Sequence, residues 1–213
     1  MRSVQLIPGD PWPWEMSIVI DDRPSALLDL LWVREAHALD VGGDDGPPPL
    51  THTPEPATVP LHAATRSAAE KAWSRIWRAA AEHAGREVDN AAIGKLHSAG
   101  LSESERDELL RSVVGSTWED EFGNDVFDEP AYQAWKQSVM EGVLERHRRG
   151  VGHHQERRDV DALVPAWRAG LTKIVAIPCR GDYSRPLGAH GLLITGESRD
   201  DSERYRAALR SLA

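Results

Sequence analysis

A proline- and glycine-rich segment at 40–60 constrains the fold of this chain more than any other feature. The segment, DVGGDDGPPPLTHTPEPATVP, holds three glycines and six prolines. Proline lacks the backbone N–H that helices and inner strands use, so this stretch can form neither a helix nor a central strand. The chain must therefore divide into a short N-terminal part and a long remainder, with a long linker between them.

Strand patterns occur at both ends of the chain. Residues 15–20, EMSIVI, alternate in a way that predicts a half-buried strand, and a helical stripe of leucines follows over 25–39. Near the C-terminus, LTKIVAIPC at 171–179 is apolar on both faces, which predicts a central strand. GLLIT at 191–195 is its expected partner, and a last helix follows.

Three helices are predicted in the middle of the chain. Ser67 with Glu70, and Ser102 with Glu105, have the spacing of capping boxes, which mark helix starts. The third helix is expected to begin at Asp128, with a proline in its first turn. All three carry apolar residues at helical spacing.

The predicted fold class is α+β. One small, mostly antiparallel sheet of about three strands, made from the N-terminal strand and a C-terminal hairpin, is packed with helices, because a lone βα unit is not stable by itself. The expected domains are an α+β core, a linker, a helical insertion or subdomain and a basic loop; they cover 1–39 with 159–213, 40–60, 61–149 and 150–158 respectively.

Composition excludes several classes of protein. One cysteine cannot form an internal disulfide, and there is no apolar run long enough for a membrane span, so a soluble cytoplasmic protein is expected. The net charge is −9, and residues 101–130 alone hold ten acidic and two basic residues. The remainder is near neutral, which argues against nucleic-acid binding. No glycine-rich phosphate motif occurs, so no cofactor is predicted.

The connection between the last two predicted strands is the strongest candidate site. It is longer than the usual hairpin connection of two to five residues and is rich in charge. Its arginines and histidine suit a carboxylate or phosphate, through charge-assisted hydrogen bonds. The predicted ligand-binding residues are Arg180, Asp182, Tyr183, Arg185 and His190. The alternative is that Asp182 pairs with Arg180 or Arg185 and only stiffens the loop.

Two functions follow from this loop. The first is a non-enzymatic binding or interaction module with an anion-facing loop at 180–190, whose partner is a small anionic ligand or a protein. The second is a small-molecule hydrolase or transferase, in which Cys179, Asp182 and His190 have the residue types of nucleophile, orienting acid and base. No signature sequence accompanies them, and a cysteine at a strand end also suits a small buried apolar position.

Histidines cluster in the basic run at 146–158. His147, His153 and His154 are metal-ligand types, but a zinc site needs three or four ligands in fixed geometry, and adjacent histidines project differently. No metal is therefore predicted. The run is expected to be a charged surface loop, with contact to phosphate or to the acidic segment as the alternatives.

Overall fold

The computed structural model describes residues 11–42, 46–87, 89–96, 100–148 and 155–212. Its strands are β1 (Val19–Asp21), β2 (Lys173–Ile177), β3 (Ser184–Leu187) and β4 (Gly191–Thr195). Its helices are α1 (Ser25–Ala36), α2 (Ala63–Ala84), α3 (Asn90–Leu96), α4 (Glu103–Val114), α5 (Glu119–Phe122), α6 (Pro130–Arg148), α7 (Gln155–Arg158), α8 (Val160–Arg168), α9 (Gly196–Asp200) and α10 (Ser202–Arg210), with a 3-10 helix at Asp125–Asp128. No helix in these ranges is both long enough and apolar enough to cross a membrane.

The four strands form one sheet in the order β1-β2-β4-β3. Strand β2 pairs in parallel with β1 and with β4, whereas β3 is antiparallel to β4. The α+β class and the joining of the N-terminal strand to the C-terminal strands are confirmed. The prediction of about three mostly antiparallel strands is wrong, because the sheet has four strands and most of its pairing is parallel.

Strand β3 explains this difference. It lies inside the segment that the sequence predicts to be a connection, and it contains Arg185 and Pro186, which are not typical strand residues. Proline is tolerated there because β3 is at the edge of the sheet, where one side of the strand needs no backbone donor. The hairpin therefore joins β3 to β4, and β4 returns between β3 and β2 with the same direction as β2.

One face of the sheet packs against α1, α2 and α6. Val175, Ile177 and Leu193 point to this face and share a buried cluster with Trp32 and Trp73. The cluster draws on strands from the end of the chain and on helices from its middle. This packing fixes α6 beside the sheet, which matters for the site described below.

The other face packs against α8 and α10. Ile174, Leu192 and Ile194 point to it and contact a second buried cluster that includes Tyr205 and Leu209. Strand β2 is buried along its whole length and lies between two neighbours. The prediction that this strand is central is confirmed, since alternate residues of β2 fill two different cores.

The sequence predicts where the helices lie better than it predicts the residue at which each one begins. Ser67 and Glu70 lie inside α2, which begins at Ala63, and the Glu70 carboxylate accepts a hydrogen bond from the backbone of Asp40 instead. The Ser102–Glu105 capping box is confirmed, with both of its reciprocal hydrogen bonds present. Apolar spacing identifies the helix, but the position of its first turn depends on tertiary neighbours.

The proline-rich segment runs along the end of β2. Leu50 is 1% exposed and forms an antiparallel bridge with Cys179. The backbone N–H of Thr51 donates to the Pro178 carbonyl at 2.8 Å. This segment therefore borders the edge of the sheet at which β2 ends.

Candidate functional site

The three parallel strands end at one edge of the sheet. Ile177 at the end of β2 pairs with Thr195 at the end of β4, and β1 ends beside them at Asp21. Ligands of open parallel sheets bind outside the carboxyl ends of the strands. A cavity of about 300 Å³ opens at this edge, and we name it the carboxyl-edge cleft.

Residues from five parts of the chain line the carboxyl-edge cleft. They are Asp22 after β1; Leu50, Thr51 and His52 of the proline-rich segment; Trp135, Ser138, Val139, Gly142 and Arg146 of α6; Ala176, Ile177 and Pro178 at the end of β2; and Gly196, Glu197, Arg199 and Asp200 after β4. The lining thus combines an apolar wall with charged groups.

Helix α6 supplies one wall through a single face. Trp135 and Val139 are four residues apart, as are Ser138, Gly142 and Arg146, so both sets project in similar directions. A Cβ added at Gly142 would meet no atom within 4 Å. The small residues in the middle of this face therefore leave the space that the cleft occupies.

Two acidic residues of the cleft already have donors. The Glu197 carboxylate accepts a hydrogen bond from the Gly181 backbone N–H at 2.7 Å. The Asp200 carboxylate accepts one from the Gln155 side-chain amide. These carboxylates are engaged in holding the loops around the cleft.

Arg199 forms a buried charged group at the base of the cleft. Its Nε donates to Glu156 at 2.7 Å and its Nη1 donates to Asp22 at 2.8 Å. The Tyr205 hydroxyl donates to the same oxygen of Glu156 at 3.3 Å. Burial disfavours the charged guanidinium, but the two adjacent carboxylates outweigh it and raise the pKa of Arg199. The side chain is thus held charged and in place.

Arg146 and His52 differ from Arg199 and from the carboxylates of the lining, which are all bonded. Within the ranges that the structure describes, neither has a hydrogen-bond or ion-pair partner. A guanidinium presents up to five N–H donors and an imidazole at least one. The cleft therefore offers free donors next to the apolar wall of Trp135 and Val139.

The first predicted ligand residues hold the local structure together. The Arg180 guanidinium donates to the Leu50 carbonyl at 2.8 Å and to the Thr53 hydroxyl at 3.3 Å. Asp182 accepts a hydrogen bond from the Ser198 hydroxyl at 2.9 Å. The expected pairing of Asp182 with an arginine is replaced by this contact with the start of α9.

Tyr183 lies just before β3 and Arg185 lies within it, and neither residue is in the cleft lining. Tyr183 is half-buried and its burial raises the pKa of the phenol, an effect that the nearby Arg185 opposes. Arg185 itself is exposed on the edge strand. These two residues are neighbours, but they do not face the carboxyl-edge cleft.

His190 lies at the opposite edge of the sheet. It is in the turn between β3 and β4, with Nδ1 2.8 Å from the Gly170 carbonyl oxygen. Because β2 and β4 are parallel, Cys179 after β2 and His190 before β4 are separated by more than the length of β4, which is about 16 Å. The structure does not bring the predicted thiol and base together.

Cys179 is closed off from solvent. Its side chain is 0% exposed, and burial raises the pKa of the thiol to about 12. A thiol is a nucleophile only as the thiolate. At neutral pH this residue is a small apolar group of the core.

The predicted metal-ligand candidates lie beyond what the structure describes. His153 and His154 fall outside the described ranges, as does the side chain of His147. Inside those ranges, no three His, Cys, Asp or Glu side chains are grouped closely enough to hold a metal ion.

Most of the cleft residues were not singled out from the sequence. Asp22 lies two residues after the first predicted strand, and Glu197 and Arg199 lie two and four residues after the last one. Polar residues after strands indicate a shared site only if the strands run in parallel, and the sequence predicted antiparallel pairing. Trp135 belongs to the apolar pattern of the third predicted helix and Arg146 begins the predicted basic run, and neither pattern indicates what these residues face.

Comparison of the chain with protein-family models, with curated proteins and with solved structures found no match. No site or activity can therefore be carried over from a relative. The function has to be argued from the geometry and charge of the cleft.

Proposed function

We propose that this chain is a binding module that holds a small amphipathic anion in the carboxyl-edge cleft without converting it. The observation that carries the proposal is the free guanidinium of Arg146 beside the apolar wall of Trp135 and Val139. Arginine recognises carboxylate and phosphate groups through charge-assisted, bidentate hydrogen bonds. The apolar wall suits the body of the same ligand.

The size of the cleft limits the ligand. At about 300 Å³ it is at the small end of ligand pockets. A molecule with one ring and one anionic group fits this volume. A hydrogen bond to a charged group contributes about 1.5–3 kcal/mol, so the contact with Arg146 accounts for a large part of the expected affinity.

In this proposal the segment at 180–190 holds the lining of the cleft in place and does not itself bind the anion. Arg180 fastens the segment that carries His52, and the Gly181 N–H holds Glu197. The anion-facing surface is therefore assigned to Arg146 and His52, and no residue of the 180–190 segment is in the lining of the cleft. The alternative prediction, a thiol-dependent hydrolase or transferase, gains no support from a buried Cys179 at a distance from His190.

The proposal is tested with ligands matched in shape and differing in charge. Thermal unfolding and titration calorimetry are run with phenyl phosphate, benzoate and the neutral benzamide. We expect the two anions to raise the melting temperature, by about 2–4 °C for each kcal/mol of binding free energy, and benzamide to have little effect. Equal stabilisation by benzamide would show that charge plays no part.

Two variants locate the binding to the cleft. Arg146→Ala removes the proposed donor and Gly142→Trp fills the open space beside it, and each is expected to weaken anion binding about tenfold or more. Arg148→Ala is the matched control, because its side chain is 74% exposed on the same helix and does not line the cleft. Benzoate binding that survives in both cleft variants would contradict the proposal.

A further inference from the structure

A second groove opens on the sheet face that carries α1 and α2. Its volume is about 450 Å³, and it lies between the β1–α1 turn, the end of α2 and the end of α4. Lys173, the first residue of β2, is in its lining. This groove shares no lining residue with the carboxyl-edge cleft.

The Lys173 side chain is unusual for a lysine. The residue is only 8% exposed. Within the described ranges, its Nζ has one hydrogen-bond partner, the Arg86 carbonyl at 3.2 Å, and no carboxylate within ion-pair distance. An ammonium group has three donors, and buried charges are normally paired. The contact with Arg86 uses one of those donors and leaves the positive charge without a counter-ion.

The start of α1 adds further donors to the same groove. This helix has 12 residues, its N-cap is Pro24, no side chain caps it, and its first turn holds no acidic residue. Its first two residues, Ser25 and Ala26, line the groove. The first backbone N–H groups of a helix have no partner within the helix, and the dipole makes that end positive. Together with Lys173 this end brings backbone N–H groups and an ammonium group to the lining of one groove.

The acidic residues of the groove do not neutralise Lys173. Asp21 accepts a hydrogen bond from the backbone of Arg23, and Asp89 accepts two from the first turn of α3. Glu87 is an exposed residue of the lining. Arg23 and Arg86 also line the groove and add two more cations.

We infer that this groove is a second binding site, specific for a phosphoryl group, with Lys173 and the first turn of α1 as its donors. A tetrahedral oxyanion accepts hydrogen bonds from several directions, which matches an ammonium and backbone N–H groups that come from different elements. The inference is independent of the proposed function, because it uses different residues and a different face of the molecule.

Titration calorimetry with inorganic phosphate tests the site in the full chain. Ionic strength is held constant with sodium chloride, so that screening alone produces no signal. Lys173→Met keeps an unbranched side chain of nearly the same length and removes its charge, and the affinity for phosphate is expected to fall at least about tenfold. Lys71→Met is the matched control, because Lys71 is exposed on α2 and lies outside the groove.

A second variant covers the case in which Lys173→Met does not fold. Ser25→Glu places a carboxylate at the exposed first position of α1, where an acidic residue favours the helix. It is expected to abolish phosphate binding and to raise the melting temperature. Ser25→Glu is expected to keep benzoate binding in the carboxyl-edge cleft unchanged, because Ser25 does not line that cleft, so the two proposals fail separately. The inference is overturned if the wild-type chain does not bind phosphate, or if Ser25→Glu and a folded Lys173→Met bind it as the wild type does.

Discussion

The thiol of Cys179 lies where β2 leaves the sheet, covered by Leu50 of the proline-rich segment. Burial raises its pKa to about 12, and the positive charge of Arg34 offsets this only in part. Between neutral pH and pH 9 the thiol therefore stays protonated. Its role is to fill space between the sheet and the segment that borders the carboxyl-edge cleft.

The rate of alkylation measures how reactive the Cys179 thiol is in the folded chain. With iodoacetamide near neutral pH, we expect native Cys179 to react at least about 100-fold more slowly than the same residue in urea, because both thiolate fraction and access are small. Mass spectrometry of the single cysteine gives both rates. Native labelling as fast as in urea would show a reactive thiolate and would restore the enzyme prediction.

At the scale of the elements, two glycines show how packing decides the effect of one added methyl group. Gly142 lies inside α6, and a Cβ there would meet no atom within 4 Å. Gly191 begins β4, and a Cβ there would lie 2.9 Å from the Leu187 Cβ and 3.0 Å from the Gly85 Cα. The first position has room and the second is a close contact between α2 and the β3–β4 hairpin.

Alanine substitutions at these positions are expected to have opposite signs. Gly142→Ala should raise the free energy of unfolding by about 0.5–1 kcal/mol, because alanine loses less backbone entropy in a helix. Gly191→Ala should lower it by about 1–3 kcal/mol, because the backbone has to move apart. Urea unfolding of both variants gives the comparison. A neutral Gly191→Ala would contradict the close packing of the hairpin on α2.

Across the whole molecule, Arg199 joins parts that are far apart in sequence. Its guanidinium bonds Asp22 at the end of β1 and Glu156 of α7, which are 177 and 43 residues away. Side-chain exposure in this group is between 0% and 9%, so all three charges depend on one another. The group closes the base of the carboxyl-edge cleft and ties the two ends of the chain together.

Removing this cation should destabilise the whole fold. Arg199→Met takes away the guanidinium to which both buried carboxylates are bonded, and we expect a loss of about 3–5 kcal/mol near neutral pH.

Urea unfolding at pH 7 measures this loss. Arg204→Met is the control, because its pair with Asp201 is exposed and should have little effect on stability. A loss for Arg199→Met no larger than the loss for Arg204→Met would contradict the role given to the buried charged group.

The apolar pattern of the sequence identified the two inner strands β2 and β4 and the longer helices, but it did not identify β3. The apolar pattern at 171–179 predicts a central strand, and the pattern at 191–195 predicts its neighbour. Such predictions are possible because strands buried on one or both faces have characteristic spacings of apolar residues. The predicted residues of the 180–190 segment include Arg180 and Asp182, whose contacts hold the edges of the cleft.

Tertiary structure decided the direction of the strands and the composition of the candidate site. The direction of β4 depends on β3. The sequence does not predict β3 as a strand, because it contains Arg185 and Pro186, which are accepted only in an edge strand. The cleft depends on that direction in turn, since only parallel strands bring Asp22 and Glu197 to the same edge, opposite Arg146. Apolar spacing records how deeply a residue is buried, but strand pairing and side-chain proximity are set by contacts between distant segments.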